Sequence, residues 1–271
     1  AVARVATLGC VGTTDRAGAV PTAAPGVAAP ASPGLTGDAA DPTSTNWWCR
    51  KFGSRAVRVL APMVDQSELP FRSLCRAHGT DLCYTPMISA KQFVASEAYR
   101  EVASGVQDGV EAYDRPLVVQ FAGHDPATLL AAAKHVEHRC DAVDLNLGCP
   151  QKIARRGRYG SFLLDEPKLV SEIVSTLHSH LECPVVCKIR LLPNASETAD
   201  FARMLVGCGA SVIAVHGRTR EQKGAAQGAA DWSRIAAVKA AVGSTPVLAN
   251  GGVFTADDVE RCLEATGALG R

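Results

Sequence analysis

Residues 116–150 read PLVVQFAGHDPATLLAAAKHVEHRCDAVDLNLGCP. PLVVQFAG and AVDLNLGC are short and apolar almost throughout, and the segment between them, DPATLLAAAKHVEHRC, is spaced as an amphipathic helix. A strand that is apolar on both faces is covered on both faces, and a helix joining two such strands is the crossover of a parallel pair. Asp125-Pro126 marks the start of that helix. The same alternation continues outward. VRVLAPM and LCYTPM precede this unit, and PVVCKIRL, SVIAVHGRT and PVLANGG follow it, making seven strands. Helical stretches such as EPKLVSEIVSTLHSHL and DWSRIAAVKAAVG lie between most of them, and Thr255 followed by Asp257-Asp258 opens another. The pattern predicts an α/β fold, a (β/α)8 TIM barrel truncated in its last βα unit, because ALGR stands where an eighth strand is due. The rival is an open doubly wound sheet. Its dinucleotide form needs G-x-G-x-x-G after the first strand, and VLAPMVDQSELP has none.

Residues 1–46 stand apart. AVPTAAPGVAAPASPGLTGDAADPTST lacks periodic hydrophobicity and cannot offset its ordering entropy, so disorder is expected there and one catalytic domain over 47–271. Arg4 and Arg16 in an Ala-rich segment suit an organelle transit peptide, but Asp15, Asp38 and Asp41 do not. The cytoplasm is therefore the expected compartment, with a plastid or mitochondrion the alternative. The 28 Lys and Arg nearly balance 27 Asp and Glu, which excludes a uniformly basic nucleic-acid binder and leaves anion contacts to local clusters. No run of 18 apolar residues suggests a membrane span. The ten cysteines include no C-x-x-C pair and read as small buried hydrophobes in a reducing compartment. His135, His138 and Cys140 lie on a helix before a strand and are not expected to bind metal; His178 and His180 are expected at the surface.

The active site of such a barrel forms at the C-terminal ends of its strands. The first strand ends in Ala61-Pro62-Met63, the third carries Gln120, and the fourth ends with Asn146 and Cys149. The fifth carries Lys188 and Arg190, the sixth His216 and Arg218, and the seventh ends in Asn250-Gly251-Gly252. Any one of these says little alone. Together on one rim they call for a shared ligand, since buried polar groups are costly without partners. A planar cofactor with polar edges would supply them, with Lys188 stabilising negative charge on a reduced ring and Gly251-Gly252 admitting a phosphate to backbone N–H groups.

APMV, LNLGCPQ with a following RRG-x-YG, CKIR, VHGRTREQKG and ANGG resemble the tRNA-dihydrouridine synthases over about Trp47 to Gly267. APMVDQSELPFR, DLCYTPMI and CDAVDLNLGCPQ-x-IARRG are similar to the eukaryotic branch acting on uridines 16 and 17 of the tRNA D-loop. The resemblance implies flavin-dependent reduction of uridine to 5,6-dihydrouridine, with FMN as cofactor, NADPH or NADH as reductant and tRNA as partner of a monomer. It places Ala61, Pro62 and Met63 at the FMN ring, Gln120 and Lys188 at its edge, and His216 toward its phosphate. It puts Asn250, Gly251 and Gly252 in the phosphate loop, Asn146 on the flipped uracil, and Cys149 as the acid that protonates C5. A thiol, with a reference pKa of about 8.5, is mostly protonated at neutral pH yet still gives up a proton. Arg190 or Arg218 would hold the uracil carbonyls, while Lys152, Arg155, Arg156 and Arg158 form a basic loop that grips RNA phosphates beside Cys149. Lys223, with Arg218 and Arg220, makes a second basic group. The competing expectations are a dihydroorotate dehydrogenase-like FMN barrel acting on a free pyrimidine, and a truncated, inactive tRNA-binding fragment. The family's second glycine loop would follow Gly267, so GALGR is expected to be its remnant, and the first and seventh strands are expected to leave unpaired edges.

Overall fold

The computed structural model describes Ser44, residues 46–104 and residues 114–270. The expected disorder over 1–46 lies outside the described residues, Ser44 and Asn46 apart. Asn46 caps α1 (Trp47–Phe52); its side chain accepts from the Trp48 N–H at 2.8 Å and donates to the Ser211 carbonyl at 3.1 Å. The chain continues through β1 (Val59–Leu60), α2 (Leu69–Ala77), β2 (Leu82–Tyr84), β3 (Ile88–Ser89), α3 (Ala90–Ala95) and α4 (Glu97–Ser104). Then come β4 (Leu117–Ala122), α5 (Pro126–Lys134), β5 (Ala142–Leu147), α6 (Lys152–Arg156), α7 (Pro167–His180) and β6 (Val185–Leu191). The last elements are α8 (Ala195–Gly207), β7 (Ala210–Thr219), α9 (Trp232–Ala241), β8 (Val247–Asn250) and α10 (Ala256–Thr266). Helix starts fall where the caps predict. The Asp125 carboxylate accepts from the Thr128 N–H at 2.7 Å with Pro126 in the first turn, and Thr255 and Asp258 form a capping box.

Each strand pairs parallel with the next in the order β1-β2-β4-β5-β6-β7-β8, and β3 pairs with β4 off this path. The order never reverses, as it would at the switch point of a doubly wound sheet, so the sheet is wound one way and curls as a barrel does. Its ends meet where Gly270 bridges both Val57 and Leu248. The Leu269 N–H donates to the Val247 carbonyl at 3.0 Å, and the Leu269 carbonyl accepts from the Val57 N–H at 2.9 Å. Residues 268–270 thus lie between the starts of β8 and β1. This corrects the expectation that GALGR is a glycine-loop remnant. Those hydrogen bonds fall at the N-terminal ends of the strands, away from the C-terminal rim, and they cover part of the edges expected to be unpaired.

Side chains alternate between two cores. Val119, Phe121, Val143, Leu145, Cys187, Ile189, Ile213 and Val215 face outward to the helices. Leu82, Tyr84, Val118, Ala142, Val186, Val212 and Leu248 fill the interior, together with Trp48 and Phe52 of α1. Trp48, fully buried, packs against Phe52 with the rings tilted at 52° and their centroids 4.7 Å apart. This aromatic pair packs among the first residues of the strands, so the polar residues of the interior lie toward the other end.

Candidate active site

The same period of two decides which polar residues face one another. Gln120, Asp144, Asn146, Lys188, Arg190, His216 and Asn250 follow the interior residues at even spacing on β4 to β8. Register places Gln120 opposite Asp144, Asn146 opposite Lys188, Arg190 opposite His216, and His216 opposite Asn250. Side-chain bonds join these residues in two groups, Asp144 with Gln120 and Asn146, and Lys188 with Asn250, which together make a polar arc. Asn146 Nδ2 donates to Gln120 Oε1 at 2.7 Å, Gln120 Nε2 donates to Asp144 Oδ2 at 2.6 Å, and Lys188 Nζ donates to Asn250 Oδ1 at 2.9 Å. A cleft beside the arc is lined by Ala61, Pro62, Tyr84, Lys188, Ala214 and Asn250. Met63, the next residue along the chain, does not line the cleft; its N–H donates to Ser67 Oγ at 3.0 Å.

Cys149 sits on the turn that leaves β5. Asn146 Oδ1 accepts the N–H groups of both Gly148 (3.1 Å) and Cys149 (3.0 Å), so the turn is tied to the polar arc. Arg190 Nε donates to the Gly148 carbonyl at 2.9 Å. The Cys149 carbonyl accepts from the Ser161 N–H and hydroxyl, each at 3.0 Å. Gly160 has φ +68°, and a Cβ there would lie 2.6 Å from the Cys149 oxygen. At the other side of the rim Gly251 has φ +98°, a Cβ on it would lie 3.1 Å from His216 Cε1, and its carbonyl accepts from Trp232 Nε1 at 2.9 Å. Gly251 and Gly252 therefore take backbone conformations that a side chain disfavours, against His216, Ala230 and Trp232.

Burial dominates the electrostatics. It pushes the Asp144 carboxyl up to about 8, against the Gln120 hydrogen bond and the charge of Lys188. It pulls Lys188 down to about 8, against the charge of Asp144. His216 is pulled down to about 3 by burial and by Lys188, Arg190 and Arg218, so its imidazole is neutral at pH 7. Asp144 Oδ1, the Tyr84 hydroxyl and His216 Nδ1 are buried without a hydrogen-bond partner among the described residues. Three such orphans in one barrel end mark a place built to receive a polar ligand.

The expected basic loop is in fact helical at its start. Lys152, Arg155 and Arg156 stand exposed on α6, which is held by buried Ala154. Arg158 follows at φ +53° and is ion-paired with Glu166, so its charge is already matched within the protein. Lys223 Nζ donates to the Pro150 carbonyl, and Arg220 pairs with Asp165 at 2.6 Å. Arg190 Nη1 donates to the Thr219 carbonyl at 2.8 Å. Arg218 is buried, its Nε donating to the Gly228 carbonyl at 3.0 Å. These two arginines anchor the rim loops. His135 packs edge-on against Phe93, whereas His138 lies exposed near Glu137 and Glu182 and lines one surface cleft with Glu137, Cys140 and Cys183. Sequence reasoning missed Asp144, Tyr84 and Gly160. For Asp144 the signal was present: an acid within an apolar strand, two residues before Asn146 and so on its face.

The family model of dihydrouridine synthases (Dus) matches residues 59–271. The chain belongs to the dihydrouridine synthase family. The Schizosaccharomyces pombe tRNA-dihydrouridine(16/17) synthase [NAD(P)(+)] is 49% identical over 217 residues, which are 80% of this chain and 54% of that protein. A tRNA-dihydrouridine(16/17) synthase [NAD(P)(+)]-like protein of Rattus norvegicus is 49% identical over 224 residues, 83% of this chain and 50% of the other. The Dus chain thus spans about half the length of the curated relatives it matches. Among solved structures, a phosphonopyruvate hydrolase superposes with TM-score 0.53 at 11% identity, covering 80% of this chain and 75% of its own. A mandelate oxidase does so with TM-score 0.51 at 20% identity, covering 80% and 64%. These two likenesses show the fold alone.

Proposed function

We propose that this Dus-family chain reduces uridine in the tRNA D-loop to 5,6-dihydrouridine, with FMN as bound cofactor and NADPH or NADH as reductant. The observation that carries the reading is the link between Cys149 and the polar arc: one side chain, Asn146, holds the Cys149 turn by two N–H groups and is itself held by Gln120. The names of the relatives support tRNA and a nicotinamide nucleotide. The arc fits FMN. His216 Nδ1, the Tyr84 hydroxyl and Asp144 Oδ1 lack partners among the described residues, Lys188 is a half-buried cation, and Gly251-Gly252 leaves backbone without side chains in the way. Bound there, the flavin would supply the hydride for C6 of the uracil ring.

The chain's own residues do the rest. Pro62, Tyr84, Gln120 and Lys188 line or edge the ring site, and His216, Gly251 and Gly252 receive the phosphate end. Neutral His216 offers a ring N–H to a phosphate without carrying a charge into the interior. Cys149 Sγ gives its proton to C5, while Arg190 and Arg218, which anchor the loops beside it, favour negative charge on the uracil carbonyls. Lys152, Arg155 and Arg156 have no carboxylate partner among the described residues and project beside Cys149, where RNA phosphates would approach. A barrel acting on a free pyrimidine has no use for such a row. Cys149→Ala should abolish most dihydrouridine formation on tRNA and leave NADPH-dependent flavin reduction intact. Normal turnover by that variant would refute the acid assignment, and a wild-type chain that reduces no tRNA uridine would refute the function.

A further inference from the structure

We infer that Asp144 is a positioning residue for the uracil pocket: by accepting from Gln120 it fixes the Asn146 amide with a hydrogen-bond donor left for the base. This rests on the functional reading above. The bonds run in one direction. The Gly148 and Cys149 N–H groups donate to Asn146 Oδ1, so that oxygen is engaged twice and the amide cannot be flipped. Asn146 Nδ2 must then donate to Gln120 Oε1, and Gln120 Nε2 must donate onward to Asp144 Oδ2. Both ends are anchored, because a backbone N–H never accepts and a carboxyl oxygen closes the far end. The polarity holds whether Asp144 is ionised or carries a proton on Oδ1, the oxygen that has no partner.

The consequence falls on Asn146. One of its two Nδ2 hydrogens serves Gln120, and the other has no acceptor among the described residues, so it is the donor we assign to the base. Uracil offers carbonyl oxygens at positions 2 and 4, which accept that hydrogen. Cytosine keeps the carbonyl at position 2 but carries an amino group at position 4, so it meets donor with donor only where the Asn146 hydrogen is directed at position 4. Polar sites built this way reject the mismatched partner because the buried group is left unpaired. Asp144 is wholly buried on the strand that also bears Asn146, so it acts on the base through Gln120 and Asn146 without touching it.

Asp144→Ala removes the terminal acceptor and frees the Gln120 amide to turn. Turnover of tRNA uridine should fall about tenfold to a hundredfold, the scale of a misplaced contact group. Asp144→Asn, whose side-chain oxygen accepts the same bond, should recover to within about threefold of wild type. Gln120→Met breaks the relay without opening a cavity and should match the alanine loss. The side-chain amide resonances of Asn146, followed by NMR on the whole chain, should shift in Asp144→Ala and Gln120→Met but not in Asp144→Asn. Wild-type turnover by Asp144→Ala or Gln120→Met overturns the inference. So does an asparagine variant as impaired as the alanine one, since that would assign Asp144 a role through charge. A wild-type chain inactive on tRNA refutes the functional reading instead. In that case the amide resonances decide the relay, and unshifted Asn146 signals in Asp144→Ala overturn it.

Discussion

Gly160→Ala should distort the Cys149 turn, and its cost follows from geometry. The added Cβ would stand 2.6 Å from the Cys149 carbonyl oxygen, 2.8 Å from Cys149 Cβ and 3.1 Å from Cys149 N. Ordinary contact begins near 3.4 Å, so the oxygen is approached 0.8 Å too closely by an atom that has no rotamer with which to escape. The neighbour is backbone, fixed by the Ser161 and Asn146 hydrogen bonds, and must move as a unit. Overpacking of this kind costs about 1–3 kcal/mol. The left-handed φ of +68° adds about 1–2 kcal/mol for a residue with a side chain. At about 2–4 °C per kcal/mol for a domain of this size, the combined cost of about 2–5 kcal/mol should lower the melting temperature by roughly 4–20 °C. Gly267→Ala is the internal control. It shares a positive φ of +61° but meets nothing within 4 Å among the described residues, so it carries the backbone cost alone, about 1–2 kcal/mol. Thermal unfolding of both variants beside wild type, with dihydrouridine formation on tRNA, makes the comparison. A Gly160→Ala protein that melts with Gly267→Ala and keeps full turnover would refute the claim that Gly160 shapes the Cys149 turn.

Other outcomes follow from the same structure. His216 binds a proton at its ordinary 6.5 when unfolded but only near 3 when folded, so stability is lost as pH falls from about 6.5 toward 3. His216→Asn should flatten that acid slope by about 1.4 kcal/mol per pH unit in urea unfolding series, and an unchanged slope would remove the assignment. Replacing Lys152, Arg155 and Arg156 by Ala should weaken tRNA binding and reduce its salt slope by about two. Arg158→Ala alone should leave the slope nearly unchanged, because Arg158 is spent on Glu166; equal effects would contradict this division of the basic segment. Trp48→Ala should cost about 3–5 kcal/mol in chemical denaturation, since Trp48 is fully buried in the barrel interior.

What the sequence by itself determined is what short-range physics records. Apolar runs alternating with helices place the strands in order, and Asp125-Pro126 and Thr255 mark helix starts by contacts only three residues away. The end of each strand names a residue of the rim, because the period of two and the direction of a parallel sheet leave little freedom there. The motifs around Asn146 and Cys149 carried the family. What only the tertiary structure decided concerns partners far apart along the chain. Gln120 meets Asp144 and Asn146 across 24 and 26 residues, and Lys188 meets Asn250 across 62. No local pattern records which of two neighbouring polar residues faces which, so Asp144 was passed over although it lies two residues from Asn146. The matching of Arg158 by Glu166, the burial of Arg218 under the Gly228 carbonyl and the seat of Gly270 between Val57 and Leu248 are of the same kind. Each depends on how far the sheet curls, which is set by the packing of two cores at once and by no single segment.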